Sequence, residues 1–149
     1  MSKCNCSKAF SVKLCRPQDY KIFKRILDQG NHPAFIGRDT FERNAVQGGA
    51  LIYEFENEPA ACSLIGIHFG SLVALNVSKK HRGHGLGQAI VNFLMPNFAR
   101  VIEDRISFFE KCGYVKIGDL KNGITLKTQI MVRQNLIGLA GRLQRLRDF

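Results

Sequence analysis

The sequence lacks any run of about 18 apolar residues, although 45% of its 149 residues are hydrophobic. A membrane-spanning helix needs such a run. The first twenty residues also lack the apolar stretch of a signal peptide. A chain of this length normally folds as one domain with a sizeable core. We therefore expect a soluble, cytoplasmic protein with no membrane partner.

Paired cysteine motifs are also missing. The five cysteines form an odd set with no C-x-x-C spacing: Cys4, Cys6, Cys15, Cys62 and Cys112. This pattern argues against a disulfide framework and favours reduced thiols. Cys4, Cys6 and Cys15 with His32 offer zinc-ligand chemistry, but their spacing matches no usual module. No metal site is predicted.

Acidic residues are scarce, at 12 Asp and Glu against 22 Lys and Arg, for a net charge of +10. Such a balance attracts polyanions. It suits a nucleic-acid partner and an acidic cofactor equally, and charge alone leaves both open.

The positive charge continues into a C-terminal tail, residues 133–149, which we separate from a domain spanning residues 1–132. Within residues 134–147, leucines recur at three- and four-residue steps, with arginines off that stripe. The tail is predicted to be a basic amphipathic helix. It would pack on the domain, on a second copy in a homodimer, or on nucleic acid.

The most informative segment present is Arg82–Gln88, which follows an apolar run and precedes a helical pattern. Its glycines at 83, 85 and 87 allow a tight turn that brings several N–H groups near one anion. The positive end of the following helix dipole faces the same point. The segment therefore predicts a site for a phosphate or pyrophosphate.

The spacing separates the known kinds of glycine-rich phosphate loop. A P-loop needs Gly-Lys-Ser/Thr after four spacers, and a dinucleotide fingerprint needs Gly-x-Gly-x-x-Gly. Neither fits. Arg82, Gly85 and Gly87 do meet an Arg/Gln-x-x-Gly-x-Gly/Ala pattern, which resembles the coenzyme A loop of the GNAT-type N-acetyltransferases.

Hydrophobic periodicity predicts a mixed α/β (α+β) domain. Strands are predicted at 10–14, 51–55, 60–67, 71–77, 98–102, 114–117 and 124–132, and helices from Asp19, at 40–46, at 88–95 and from Asp104. The resemblance implies that these six to seven strands form a strongly bent, mostly antiparallel sheet flanked by about four helices.

A second motif, Ile106–Tyr114, resembles the Phe-Tyr-Glu-Lys-x-Gly-Phe-like stretch of the same family. Together the two motifs imply transfer of an acetyl group from acetyl-CoA to a primary amine by direct attack in a ternary complex. The resemblance implies that Asn76 and Val77 meet the pantetheine through backbone groups. It implies a cofactor loop consisting of Arg82, Gly83, His84, Gly85, Leu86 and Gly87, with Phe109 beside the thioester.

The chain departs from the family pattern where chemistry is expected. The tyrosine that often protonates the thiolate falls at Phe109, which has no proton to give. Tyr114 and the Cys112 thiol are candidate substitutes. Base candidates lie outside the strand before the loop: Glu54, Glu56, His68, Glu103 and Asp104.

These departures leave two functions open. The first is an active N-acetyltransferase that acts on a primary amine, and the scarcity of base candidates favours an exocyclic nucleobase amine or an α-amine over a lysine. The second is a catalytically weakened acyl-CoA-binding or nucleic-acid-associated protein, including a DNA-modifying acyltransferase of the phage type.

Overall fold

The computed structural model describes residues 10–30, 36–66, 70–120 and 128–133, with the backbone alone for 118–120, 128 and 129. Strands are β1 (Ser11–Leu14), β2 (Ala50–Phe55), β3 (Glu58–Gly66), β4 (Ser71–Val77), β5 (Phe98–Ile102), β6 (Tyr114–Leu120) and β7 (Thr128–Arg133). Helices are α1 (Tyr20–Leu27), α2 (Arg38–Val46), α3 (Leu86–Leu94) and α4 (Ile106–Lys111). The predicted mixed α/β class is confirmed.

The strands form one seven-stranded sheet in the order β1-β2-β3-β4-β5-β7-β6. Its pairings are antiparallel except between β4 and β5, which run parallel. The parallel pair is joined through α3, since parallel neighbours need a crossover connection. The single parallel pair therefore divides the sheet into two antiparallel parts.

The core lies on both faces of the sheet. On one face, α1 buries Phe23, Ile26 and Leu27 in the same cluster as Phe41 of α2. These α1 residues follow the three- and four-residue steps of an amphipathic helix. On the other face, a cluster joins α3, α4, β5 and β7 through Val91, Phe109, Val101 and Met131, among others.

The predicted element bounds hold closely where the described residues cover them. β4 and β5 match, whereas α3 begins at Leu86 rather than Gln88 and β6 continues to Leu120 rather than Ile117. The predicted residues 124–127 of the last strand and the tail helix at 134–147 lie outside the described residues. Among the helices of the described ranges, none is long and apolar enough to cross a membrane.

Candidate cofactor and acyl-transfer site

A cleft opens between the parallel strands β4 and β5. These strands pair only at their first residues, Ser71 with Phe98 and Leu72 with Ala99. On the other side of β4, Leu64 pairs with Ala74 and Ile65 with Leu72, which leaves Val73 as an extra residue. Such a bulge bends its strand. Because the bulge lies directly after the last β4–β5 pair, β4 turns away from β5 at that point.

The resulting cleft has a volume of about 450 Å³. Residues 72–77 of β4 form one wall, and Arg100, Val101 and Ile102 of β5 form part of the other. In the described sheet, Leu72 is the last residue of β4 that pairs with β5. Its backbone on that side is therefore turned toward the cleft and can pair with an extended ligand.

The glycine loop closes one end of the cleft. Gly83 and Gly85 have φ values of +83° and +75°, a left-handed conformation that side-chain-bearing residues seldom adopt. Gly85 is the N-cap of α3, and no side chain caps this helix. The first N–H groups of a helix have no acceptor within it. The end of α3 therefore presents N–H donors and a positive dipole to an anion.

Arg82 holds this loop against α1. Its Nε donates to the carbonyl of Val77 at 3.0 Å, and its Nη2 donates to the carbonyl of Gln29 at 2.7 Å. The Gln29 side chain in turn accepts from the Lys79 N–H at 2.7 Å. Two of the five guanidinium donors are therefore spent on positioning the loop, a role that the sequence did not indicate.

The other side of the loop is held by charged and polar side chains. His81 is buried, with its Nδ1 2.7 Å from Ser78 Oγ and its Nε2 2.8 Å from Glu58 Oε1. Lys80 Nζ lies 2.7 Å from the same Glu58 oxygen. The hydrogen bond from Lys80, aided by its charge, holds the pKa of Glu58 below its usual range. Glu58 is thus an anion at neutral pH.

Asn76 and Val77 lie on the cleft wall, where the sequence predicted pantetheine contacts. The Asn76 side chain is buried, and its Nδ2 donates to the Ile26 carbonyl of α1 at 2.7 Å. The Asn76 side chain is therefore held by α1, and the backbone contact of this residue with pantetheine stays a prediction. The Val77 carbonyl already accepts from Arg82, so this residue also serves the loop.

The predicted acid candidates Tyr114 and Cys112 are not among the residues that line the cleft. Tyr114 is buried, its hydroxyl donates to the Pro96 carbonyl, and burial raises its pKa to about 12. Burial also raises the pKa of the Cys112 thiol. The Tyr114 proton is committed to a structural bond, and Cys112 remains a protonated thiol at neutral pH.

The predicted bases Glu103 and Asp104 are exposed on the turn between β5 and α4 and do not line the cleft either. Glu54 and Glu56 lie on the β2–β3 hairpin and do not line the cleft. His68 lies outside the described residues. In the described part of the chain, no carboxylate lines the cleft. A general base among Glu54, Glu56, Glu103 and Asp104 would have to act through water.

Phe109 does line the cleft, where the family tyrosine was expected. Its ring meets those of Phe108 and Tyr114 edge to face, with centroids 5.1 and 5.7 Å away. Phe108 also contacts the loop, because a Cβ added at Gly87 would lie 3.4 Å from its ring. The second motif therefore packs directly against the first.

Sequence reasoning missed the cations that line the cleft besides Arg82. Arg100, Arg105 and Lys111 lie on its walls. The alternation of β5 was a usable signal for Arg100, because its neighbours Ala99 and Val101 are buried on the opposite face with α3 and α4. Within the described ranges, no cluster of three metal-ligand side chains occurs, and Cys4, Cys6 and His32 lie outside those ranges.

Comparison with solved structures identifies this architecture. The chain is similar to a GNAT-family acetyltransferase from Bacillus cereus ATCC 10987, with a TM-score of 0.64 and 16% identity over 83% of this chain and 95% of that one. It is similar to Arabidopsis thaliana Naa50 in complex with the bisubstrate analogue CoA-Ac-MVNAL, with a TM-score of 0.66 and 15% identity over 82% and 96%.

A third similar structure is the ribosomal-protein-S18-alanine N-acetyltransferase from Escherichia coli, with a TM-score of 0.65 and 17% identity over 84% of this chain and 93% of that one. No protein-family model and no curated protein sequence matches the chain. The chain therefore has the fold of the GNAT acetyltransferases. At this level of identity the likeness establishes the fold.

Proposed function

We propose that this protein is an acetyl-CoA-dependent N-acetyltransferase that modifies a primary amine. The observation that carries the proposal is the joining of two features in one cleft. The uncapped N-terminus of α3, with its left-handed glycines, lies at one end, and the bulge-opened gap between β4 and β5 lies at the other. The anion site suits a ligand with phosphates at one end, and the unpaired strand edge suits an amide-containing arm at the other.

Coenzyme A fits these residues. The loop Arg82–Gly87 and the first turn of α3 would hold the pyrophosphate, and the backbone of residues 74–77 would pair with the pantetheine amides. When bound, acetyl-CoA supplies an acyl group activated as a thioester. Naa50, whose structure contains a CoA bisubstrate analogue, shares this fold, which supports the assignment.

The charge of the cleft bears on how an amine becomes a nucleophile. Its cationic lining consists of Arg82, Arg100, Arg105 and Lys111. These cations would face the phosphates of the cofactor. In the described part of the chain no carboxylate lines the cleft, so the proton of an incoming amine would leave through water.

This environment favours an acceptor of low basicity. Deprotonating a lysine-like amine at pH 7 costs roughly 4.6 kcal/mol, whereas an α-amine with a pKa near 7.7 to 8.0 costs only about 1 kcal/mol. We therefore propose an α-amine as the acceptor. The bisubstrate analogue bound to Naa50 carries an acetylated peptide sequence, in keeping with this choice.

The experiment is acetyl transfer from acetyl-CoA to a panel of α-amines, lysine side chains and nucleobase amines, measured as thiol release and by mass spectrometry. We expect turnover with at least one α-amine. Turnover that requires a lysine side chain or a nucleobase would contradict the acceptor assignment. Lack of turnover across the whole panel would contradict the proposal that the protein is an acetyltransferase.

One observation favours a second candidate function. Phe109 stands where the family's acid is expected, and no described carboxylate lines the cleft. A catalytically weakened acyl-CoA-binding protein would show the same features. Saturable CoA binding without turnover would support this alternative, and a nucleic-acid-associated form would add binding that weakens steeply with salt.

A further inference from the structure

The turn that leads into the cofactor loop rests on the β2–β3 hairpin. The Ser78 N–H donates to the Ala60 carbonyl at 2.8 Å. The Phe55 ring lies edge-on to His81, with centroids 5.9 Å apart, and 6.0 Å from the ring of His84. A strand pair outside the cleft therefore supports the segment that would receive the phosphates.

The charged part of this support is the contact between Glu58 and His81. The imidazole is 3% exposed and lies between the Ser78 hydroxyl and the Glu58 carboxylate. Nε2 lies 2.8 Å from Glu58 Oε1 and has no hydrogen-bond partner among the other described groups. Glu58 is thus the charged group next to the ring, and Lys80 contacts the same Glu58 oxygen.

Glu58 and His81 differ in their relation to the cleft. His81 lines it, next to Arg82 and Gly83, whereas Glu58 is outside the lining. Of its described partners, Lys80 and His81, only His81 lines the cleft. We propose that Glu58 is a positioning residue that, through His81, holds the loop Arg82–Gly87 in the conformation that receives the phosphates of coenzyme A. This inference rests on the proposed function.

The physical reason is the freedom of a glycine-rich loop. Glycines lose more conformational freedom on ordering than other residues, and ordering a loop during binding weakens affinity. A carboxylate against a buried imidazole is a charge-assisted contact, stronger than a neutral one. Fixing the loop in advance should strengthen phosphate binding and leave acyl transfer, at the other end of β4, unchanged.

The test compares Glu58→Gln with Glu42→Gln, which removes the same charge from a partly exposed side chain of α2 outside the cleft lining. Three quantities are measured: the Kd for CoA, KM and kcat with acetyl-CoA, and kcat/KM with S-acetylpantetheine, which lacks the phosphates. We expect Glu58→Gln to raise Kd and KM by roughly tenfold. We expect kcat, and kcat/KM with S-acetylpantetheine, to stay within about twofold of wild type. Glu42→Gln should match wild type throughout.

Two controls separate positioning from general damage. Glu58→Asp keeps the charge and should recover most of the CoA affinity, and thermal unfolding reports the stability of each variant. Unchanged CoA affinity in Glu58→Gln, or an equal loss with S-acetylpantetheine, would overturn the inference while leaving the enzyme assignment intact. Failure of wild-type protein to bind CoA would instead overturn the proposed function itself, and the inference with it.

Discussion

At the scale of single residues, backbone conformation decides which residues the glycine loop can contain at positions 83 and 85. Gly83 and Gly85 hold positive φ values while a Cβ added at either would meet no atom within 4 Å. Space is therefore available at both positions, and only the backbone conformation excludes other residues. The sequence predicted these glycines correctly as loop formers because their requirement is local.

Gly85→Ala should weaken CoA binding because an alanine in the left-handed region costs about 1–2 kcal/mol. The loop can escape that cost by leaving the conformation that aims its N–H groups at the ligand. The matched control is Gly48→Ala, which has a φ of +79°, open space around it and a place at the end of α2, away from the cleft. Calorimetric titration should show weaker CoA binding in Gly85→Ala alone. Equal affinity in both variants would count against the loop assignment.

Phe109→Tyr should raise kcat, because it places a hydroxyl donor on the cleft wall where Phe109 now lies. General acids contribute up to about 10²–10⁴ in rate, but a thiolate whose conjugate acid has an ordinary pKa near 8.5 needs less help. We expect about a three- to tenfold increase in steady-state turnover. Phe108→Tyr, on the neighbouring ring, is the control. An equal change in both variants, or in neither, would show that position 109 has no special relation to the leaving group.

At the scale of elements, the strands and helices followed from periodicity, but the opening of the sheet did not. The alternation of residues 71–77 predicts a strand and says nothing about a bulge at Val73, because a bulge depends on the register with β3. The site positions of Tyr114 and Cys112 depend likewise on packing across the sheet. Arg82 was predicted to face phosphate, yet two of its donors point to the carbonyls of Val77 and the distant Gln29.

Asp19 joins the end of β1 to the start of α1, and its loss should destabilise the fold. Burial opposes ionisation of this carboxyl most strongly, but bonds from the Arg16 N–H at 2.8 Å and Lys13 Nζ at 3.3 Å outweigh it, so its pKa is lowered. Because the folded pKa lies below the ordinary value of about 3.9, the stabilisation is complete above that pH. It disappears as the pH falls through the folded pKa.

Asp19→Asn should therefore reduce the free energy of unfolding by about 1–2 kcal/mol at pH 7, and by less in acid. Urea unfolding at pH 7 and near pH 3 measures both. Asp28→Asn removes an exposed ion pair with Lys24 and should change stability little. Similar losses in the two variants, or a loss for Asp19→Asn that does not depend on pH, would contradict this explanation.

At the scale of the whole molecule, the excess of 22 basic over 12 acidic residues has a partial explanation in the cleft. Arg82, Arg100, Arg105 and Lys111 surround the space assigned to a polyanionic cofactor. The nucleic-acid, homodimer and tail-docking predictions rest on net charge and on residues 134–147, which lie outside the described residues. They remain predictions.

This distribution of charge predicts that CoA binding weakens with salt. Raising NaCl from about 0.05 to 0.5 M shortens the Debye length to a few ångströms, so the Kd for CoA should rise several-fold. The KM for S-acetylpantetheine should change much less because it carries no phosphates. Equal salt dependence for both ligands would show that the cations of the cleft do not act on the phosphates.

The most direct test of the whole account is a titration of the wild-type protein with CoA, followed by thermal unfolding. If the cleft is a coenzyme A site, binding is saturable with one ligand per chain. At about 100 times the Kd the ligand should then stabilise the fold by about 2.7 kcal/mol. An unfolding temperature that does not move at saturating concentrations of either CoA or acetyl-CoA would contradict the account.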